Sequence, residues 1–251
     1  MKKPVRLTSF AQGKRKLAIF DIDGTIFRSS LVRELLNSLI REGVFSKSVE
    51  KEVEKDYLAW VNRQGDYENY IWKVVDLYTE NIGGKYEKDV SAVVKKTISS
   101  EKNKLYRFTR DLLKDLKKQN YFLLAISGSP SFIVSEFARQ LKFDHYFGSE
   151  YEVKKGIFTG KVLRGGWLDK TVLLNKFKQT HRDIDFSSSI GIGDTQSDIP
   201  LLEIVGNPIA FNPNMELAKY AKRKGWRIIV ERKDVIYDIK DFKIISSKSK
   251  T

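Results

Sequence analysis

Leu17-Ala18-Ile19-Phe20-Asp21-Ile22-Asp23-Gly24-Thr25-Ile26-Phe27 is the stretch from which the fold is read. Four apolar residues run straight into two acids, a glycine and a threonine. A short apolar run closed by turn residues predicts a buried strand. Side chains at i and i+2 of an extended chain project the same way, so Asp21 and Asp23 can face one site together. Ionised carboxylates at the end of a buried strand are costly unless a cation or hydrogen bonds compensate them. Gly24 lets the backbone turn closely, and Thr25 offers a short hydroxyl to orient a neighbour. A strand ending in a solvated Asx turn would explain the acids without any chemistry.

Three later stretches bear on that choice. Tyr121 to Ile126 predicts a second buried strand, ending in Ser127-Gly128-Ser129-Pro130 ahead of a helical pattern from Phe132 to Leu141. Hydroxyls and free amides at a helix start form an anion-binding arrangement, although serine and glycine also fill ordinary loops. Residues 144–164 read as a hairpin turning at Lys154-Lys155-Gly156. Lys170 then opens an apolar helix with Val172, Leu173, Leu174 and Phe177. A lysine at a helix start opposes the dipole, which points to an anionic partner. Ser189-Ile190-Gly191-Ile192 predicts a third strand, delivering Gly193-Asp194-Thr195-Gln196-Ser197-Asp198 to a helix beginning near Ile199-Pro200. One acid could cap that helix; two acids four apart after a glycine exceed what a cap needs.

Between the first two strands the pattern is helical. Leu31, Leu35, Leu36, Leu39 and Ile40 recur at helical spacing up to Gly43. Ser46 reads as the N-cap of a segment to about Arg63. Gly65-Asp66 opens a third segment, closed by Gly83-Gly84, and Val90, Val93, Val94 and Ile98 mark a fourth. Residues 28–102 are therefore expected to be a helical insert packed on itself. The core is expected over 1–27 and 103–251, including a helix with Leu105, Phe108 and Leu112, strands at 207–212 and 226–230, and a helix from Met215 to Lys224. Alternating strands and helices outside the insert predict an α/β fold, a Rossmann-like parallel sheet with helices on both faces. In such sheets ligands sit at the carboxyl ends of strands, and all four candidate motifs fall there or at the following helix start.

Taken together, these stretches resemble the haloacid dehalogenase superfamily of phosphohydrolases. Asp21, Asp23 and Thr25 match its DxDxT motif, Ser127 its strand-terminal Ser or Thr, and Gly193, Asp194 and Asp198 its GDxxxD motif. By order, Lys170 falls where the superfamily places its phosphate-binding lysine, with Lys161 and Lys176 as alternatives. The insert falls where it places a C1 cap, and with GDTQSD it looks most like the phosphoserine-phosphatase-like branch. The resemblance implies Asp21 as nucleophile and Asp23 as general acid and base. It implies Mg2+ as cofactor, held by side-chain oxygens of Asp21 and Asp194 and the main-chain carbonyl of Asp23. Asp198 would bind a metal water or hold Lys170, while Ser127, the Gly128 amide and Lys170 would hold the phosphoryl oxygens. Arg28, Ser29 and cap aromatics such as Trp60, Tyr67 and Tyr70 would shape the leaving-group pocket. One departure stands out: where phosphoserine phosphatases carry a glutamate for the substrate ammonium, this chain has Ser30, with Glu34 a turn further on.

Composition narrows the alternatives. Apolar residues make up 41% and charged residues 31%, as in a folded soluble protein. No cysteine and only two histidines, His145 and His181, exclude thiol nucleophiles and make a histidine metal cage or triad untenable. The first sixteen residues form a basic lead-in without the apolar core of a secretory signal, and no window could span a membrane, so a cytoplasmic location is expected. The net charge of +14 is spread over the helical segments. It suits a solvated surface and the steering of a small phosphorylated substrate, and no nucleic-acid reader motif accompanies it. The expected activity is hydrolysis of a phosphomonoester. A phosphotransferase or phosphomutase of the same superfamily and a non-catalytic phospholigand-binding protein are the alternatives.

Overall fold

The computed structural model describes residues 14–165 and 170–243. The first thirteen residues of the basic lead-in lie outside them, and its last two begin the first strand. β1 (Arg15–Asp21) is followed by four helices, α1 (Leu31–Arg41), α2 (Ser48–Val61), α3 (Tyr67–Ile82) and α4 (Glu87–Glu101). Then come α5 (Arg107–Lys118), β2 (Phe122–Pro130), α6 (Ser131–Leu141), and the hairpin of β3 (His145–Lys154) and β4 (Ile157–Arg164). α7 (Lys170–Thr180), β5 (Ile184–Gly193), α8 (Ile199–Glu203), β6 (Asn207–Phe211), α9 (Met215–Lys224), β7 (Arg227–Arg232) and β8 (Val235–Ile239) complete the order.

The eight strands form one sheet in the order β4-β3-β2-β1-β5-β6-β7-β8. Pairing is parallel from β3 through β7, and β4 and β8 add antiparallel to the two edges. The sheet is thus mixed rather than purely parallel. β8 was not legible in the sequence: Val235-Ile236-Tyr237-Asp238-Ile239 is only five residues long and largely exposed, and it pairs with β7 across the turn at Lys233-Asp234. β1 lies at the centre, and the side chains from Leu17 to Phe20 are fully buried. Their alternation fixes the two layers. Ala18 and Phe20 join α5, α6 and the insert helices, whereas Leu17 and Ile19 join α7, α8 and α9.

The helices of residues 31–101 start largely where their signals fall. Asp66 caps α3, its carboxylate accepting from the Asn69 amide at 2.8 Å. α2 differs: it begins at Ser48, two residues after the expected Ser46 cap, because Ser46 and Lys47 form a preceding turn in which the Ser48 amide donates to the Ser46 hydroxyl at 3.3 Å. The chain leaves the sheet and returns to it side by side. The Arg28 amide donates to the Lys104 carbonyl at 2.8 Å, and the Tyr106 amide to the Ile26 carbonyl at 3.0 Å. The α3–α4 connection adds to the rim of β4 through Gly84 N to Phe158 O and Phe158 N to Lys85 O, at 2.8 and 2.9 Å.

Candidate active site

Because β1 and β5 are neighbours in parallel register, their carboxyl ends deliver Asp21 and Asp194 to one place. The 3₁₀ turn Gln196–Asp198 brings Asp198 back toward them. Asp21, Asp194 and Asp198 each offer an oxygen, and these lie within 4.8 Å of one another. From the first residue of α7, the Lys170 ammonium reaches Asp21 Oδ1 at 2.8 Å and also bonds Asp198 Oδ1. The other Asp198 oxygen accepts from the Asp194 and Thr195 amides, both at 3.0 Å. Lys161 and Lys176, the other lysines considered, are exposed on β4 and α7.

Two glycines make this packing feasible. A Cβ on Gly24 would lie 2.2 Å from Asp194 Oδ2, and its φ of +81° is a conformation side chains rarely adopt. A Cβ on Gly193 would lie 2.4 Å from that of Asp198. Thr25, completely buried, donates from its hydroxyl to Asp194 Oδ1 at 3.2 Å. Thr25 therefore orients an acid here.

The electrostatics follow from burial. Desolvation, then the charge of Asp198, pushes the Asp21 carboxyl well above the usual carboxylate range, with Lys170 opposing. Asp194 is raised by burial, then by Asp21 and Asp198. For Lys170, burial alone would lower the ammonium, but the attraction of Asp198 and Asp21 outweighs it and holds the group charged. Were all three carboxylates ionised, one lysine would leave two negative charges uncompensated, and Asp21 Oδ2 is buried without a hydrogen-bond partner. An all-oxygen set with that deficit suits a hard divalent cation. The residues present fit Mg2+.

Asp23 occupies a separate niche, and its side chain is not in the acid triad. Its carboxyl accepts from the Leu31 amide at the start of α1 at 2.5 Å, from the Ser127 hydroxyl, and from the Ser129 hydroxyl at 3.1 and 3.2 Å. Burial raises its protonation midpoint, and these donors oppose the rise. Ser127 is thus engaged with Asp23 and also accepts from the Ser129 amide at 2.9 Å. The Gly128 carbonyl accepts from Ser149 at 2.6 Å. Arg28 is exposed, its guanidinium over the Tyr106 ring at 5.6 Å, and Ser29 donates to Glu34 Oε1 at 2.6 Å. Ser30 is buried just ahead of α1.

Sequence reading passed over two contributors. Ser129 lies two residues beyond Ser127 in an extended strand, so it faces the same side; that spacing was the available signal. Gln196 had none. Its side-chain amide donates to Glu68 on α3 at 3.0 and 3.2 Å and accepts from Asn214, whose own amide holds the Asp194 carbonyl at 2.8 Å.

Residues 18–203 match the haloacid dehalogenase-like hydrolase family, and the chain belongs to that family. Among curated relatives it is similar to a histidinol-phosphatase of Neisseria meningitidis, 25% identical over 224 residues, 86% of this chain and 98% of that one. It is equally similar to a phosphoserine phosphatase of Methanocaldococcus jannaschii, 25% identical over 225 residues, covering 88% and 95%. In fold it resembles a Bordetella pertussis protein of unknown function, with a TM-score of 0.71 and 21% identity over 86% of this chain and 98% of that one. A phosphoserine phosphatase structure gives 0.59, at 23% identity over 88% and 95%. The chain is a hydrolase with the α/β architecture of the phosphoserine-phosphatase-like members.

Proposed function

We propose that this hydrolase is a magnesium-dependent phosphomonoester phosphatase acting on a small phosphorylated metabolite through an aspartyl-phosphate on Asp21. The observation that carries the reading is the Asp21 carboxylate. One oxygen is held by Lys170 and the other is buried and unpartnered, at the focus of a site lacking two positive charges. The family and its phosphatase relatives support it.

An Asp21 oxygen attacks phosphorus while the bond to the leaving alcohol breaks, and Asp23 gives its proton to that alcohol. Asp23, now a carboxylate, takes a proton from the water that releases phosphate and restores Asp21. The raised midpoint of Asp23 suits a group that begins protonated. Ser127 exchanges its bond to Asp23 for a phosphoryl oxygen when substrate enters, beside the Gly128 amide and Lys170. Magnesium would be held by the side chains of Asp21 and Asp194 and the Asp23 carbonyl, with Asp198 securing Lys170 behind them, and it supplies neutralising charge to the phosphoryl oxygens. Residues 28–102 act as a cap over the site, hinged at the paired linkers. The protein works in the cytoplasm; no helix among the described residues is long and apolar enough to cross a membrane.

Phosphate release from an aryl phosphate with magnesium tests the reading. Wild type is expected to turn over and Asp21→Asn to fall to background; equal background release from both would remove it.

A further inference from the structure

The two ends of the sheet are finished differently. At one, the α3–α4 connection covers the rim of β4 through Gly84 and Lys85, and the Glu87 amide donates to the Gly156 carbonyl at 2.9 Å. At the other, β8 pairs with β7 on one side and, among the described residues, with no strand on the other. An unpaired strand edge is a template for a further strand. The turn at Lys233-Asp234 closes on Arg232 and Val235, so Val235, Tyr237 and Ile239 direct their amides and carbonyls toward β7. Ile236 and Asp238 direct theirs to the free edge. Val235 and Tyr237 are 41% and 50% exposed, so the edge also carries an open apolar row.

Charge selects what this edge fits. Lys233 and Asp234 precede the strand, Lys240 and Asp241 follow it, and among the described residues none of the four is in an ion pair. A second copy can lie antiparallel against β8 about a twofold axis. Outward-directed residues must then meet outward-directed residues, so the axis passes through a residue and never between two. Centred on Ile236, Asp234 would face Asp238; centred on Asp238, that acid would face itself. Like charges directly opposite are destabilising. Centred on Val235 or Ile239, only one position of each strand overlaps. Centred on Tyr237, all five positions pair. Lys233 then comes opposite Asp241 and Asp234 opposite Lys240, each twice by symmetry. Asp238, already paired with Arg227 at 2.9 Å, faces Ile236 of the second copy rather than an acid. Val235 meets Ile239 across the axis, and Tyr237 meets its own copy.

We propose that β8 is a self-association edge, through which two copies join antiparallel about a twofold axis at Tyr237 into one continuous sheet. Nothing in this contact depends on the reaction. A single strand pair falls short of the ~800 Å² per partner of a standard interface, so association is expected to be weak, half-complete at about 10–100 µM.

Sedimentation velocity on the full chain over a range of concentrations tests the pairing. Wild type is expected to pass from monomer to dimer. Lys233→Glu and Asp241→Lys each set like charges opposite one another twice, and each should weaken the dimer about tenfold. An equimolar mixture of the two single variants should recover it, because each then meets its complement; circular dichroism checks that both fold. Since the chain has no cysteine, one introduced thiol reports the axis. Tyr237→Cys should give a disulfide-linked dimer on oxidation, whereas the two thiols of Val235→Cys would lie about 14 Å apart and should not link. A wild type still monomeric at about ten times that concentration range would overturn the paired edge. So would single variants that dimerise like wild type, a mixture that stays monomeric, or linking at 237 no faster than at 235.

Discussion

Asp23 shows how one residue can be prepared by its neighbours for a role its sequence position only suggests. Its carboxyl is half-buried, bound by one amide and two hydroxyls, and separate from the acid triad. Asp23→Asn is expected to slow turnover by about 10²–10⁴-fold while leaving magnesium affinity largely intact in calorimetry; lost metal binding would contradict the assigned role. Gly24→Ala should instead affect both. The added methyl meets Asp194 at 2.2 Å in a left-handed backbone, so metal affinity and activity should fall together. Lys170 is a third case, because removing one member of a buried charged network leaves the others uncompensated. Lys170→Met is expected to cost about 3–5 kcal/mol, seen as a lower unfolding midpoint in urea; an unchanged midpoint would mean that the two aspartates are not ionised beside it.

Among the elements, α3 is the one that meets both halves of the site. Glu68 on its first turn binds Gln196, and Gln196 is linked through Asn214 to the Asp194 carbonyl. Exposed hydrogen bonds of this kind are worth about 0.5–1.5 kcal/mol. Glu68→Ala should therefore leave thermal stability almost unchanged and shift KM and kcat together, as a loosened cap would. Movement of neither parameter would detach α3 from the reaction. The sequence announced the strands and most helices because each carries its own periodicity or cap: Leu17–Phe20 is a buried run, and Asp66 caps α3. β8 and the Gln196–Glu68 link were invisible because both depend on partners remote in sequence or on a turn. The same reason hid the commitment of the Ser127 hydroxyl to Asp23. Residue types at strand ends could be read, but which donor meets which acceptor is decided by packing.

For the whole molecule, the acid cluster makes stability depend on pH in an uncommon direction. Asp21, Asp23 and Asp194 are raised above their unfolded midpoints, so the folded state binds their protons more readily. Their contribution is favourable at low pH and is lost as pH rises through the elevated midpoints. The metal-free protein should accordingly melt at a higher temperature at pH 6 than at pH 8, and magnesium should raise the midpoint most at pH 8. Asp194→Asn should flatten both trends. A metal-free melting temperature that increases steadily from pH 6 to pH 8 would refute this account.

The central place of β1 has a cost during synthesis. Its neighbours on the two sides are β2 and β5, whose residues pair with Leu17–Phe20 from positions 122–125 and 190–192. At ribosomal rates of about 5–20 residues per second, this fully buried apolar segment waits roughly 5–20 s for its first partner and longer for its second. The four helices made in that interval draw on nearby contacts and can form early. A nascent chain stalled before residue 122 should therefore hold helical structure while Leu17–Phe20 remains open to chaperones, and the sheet closes around it only once residues 190–192 have been made.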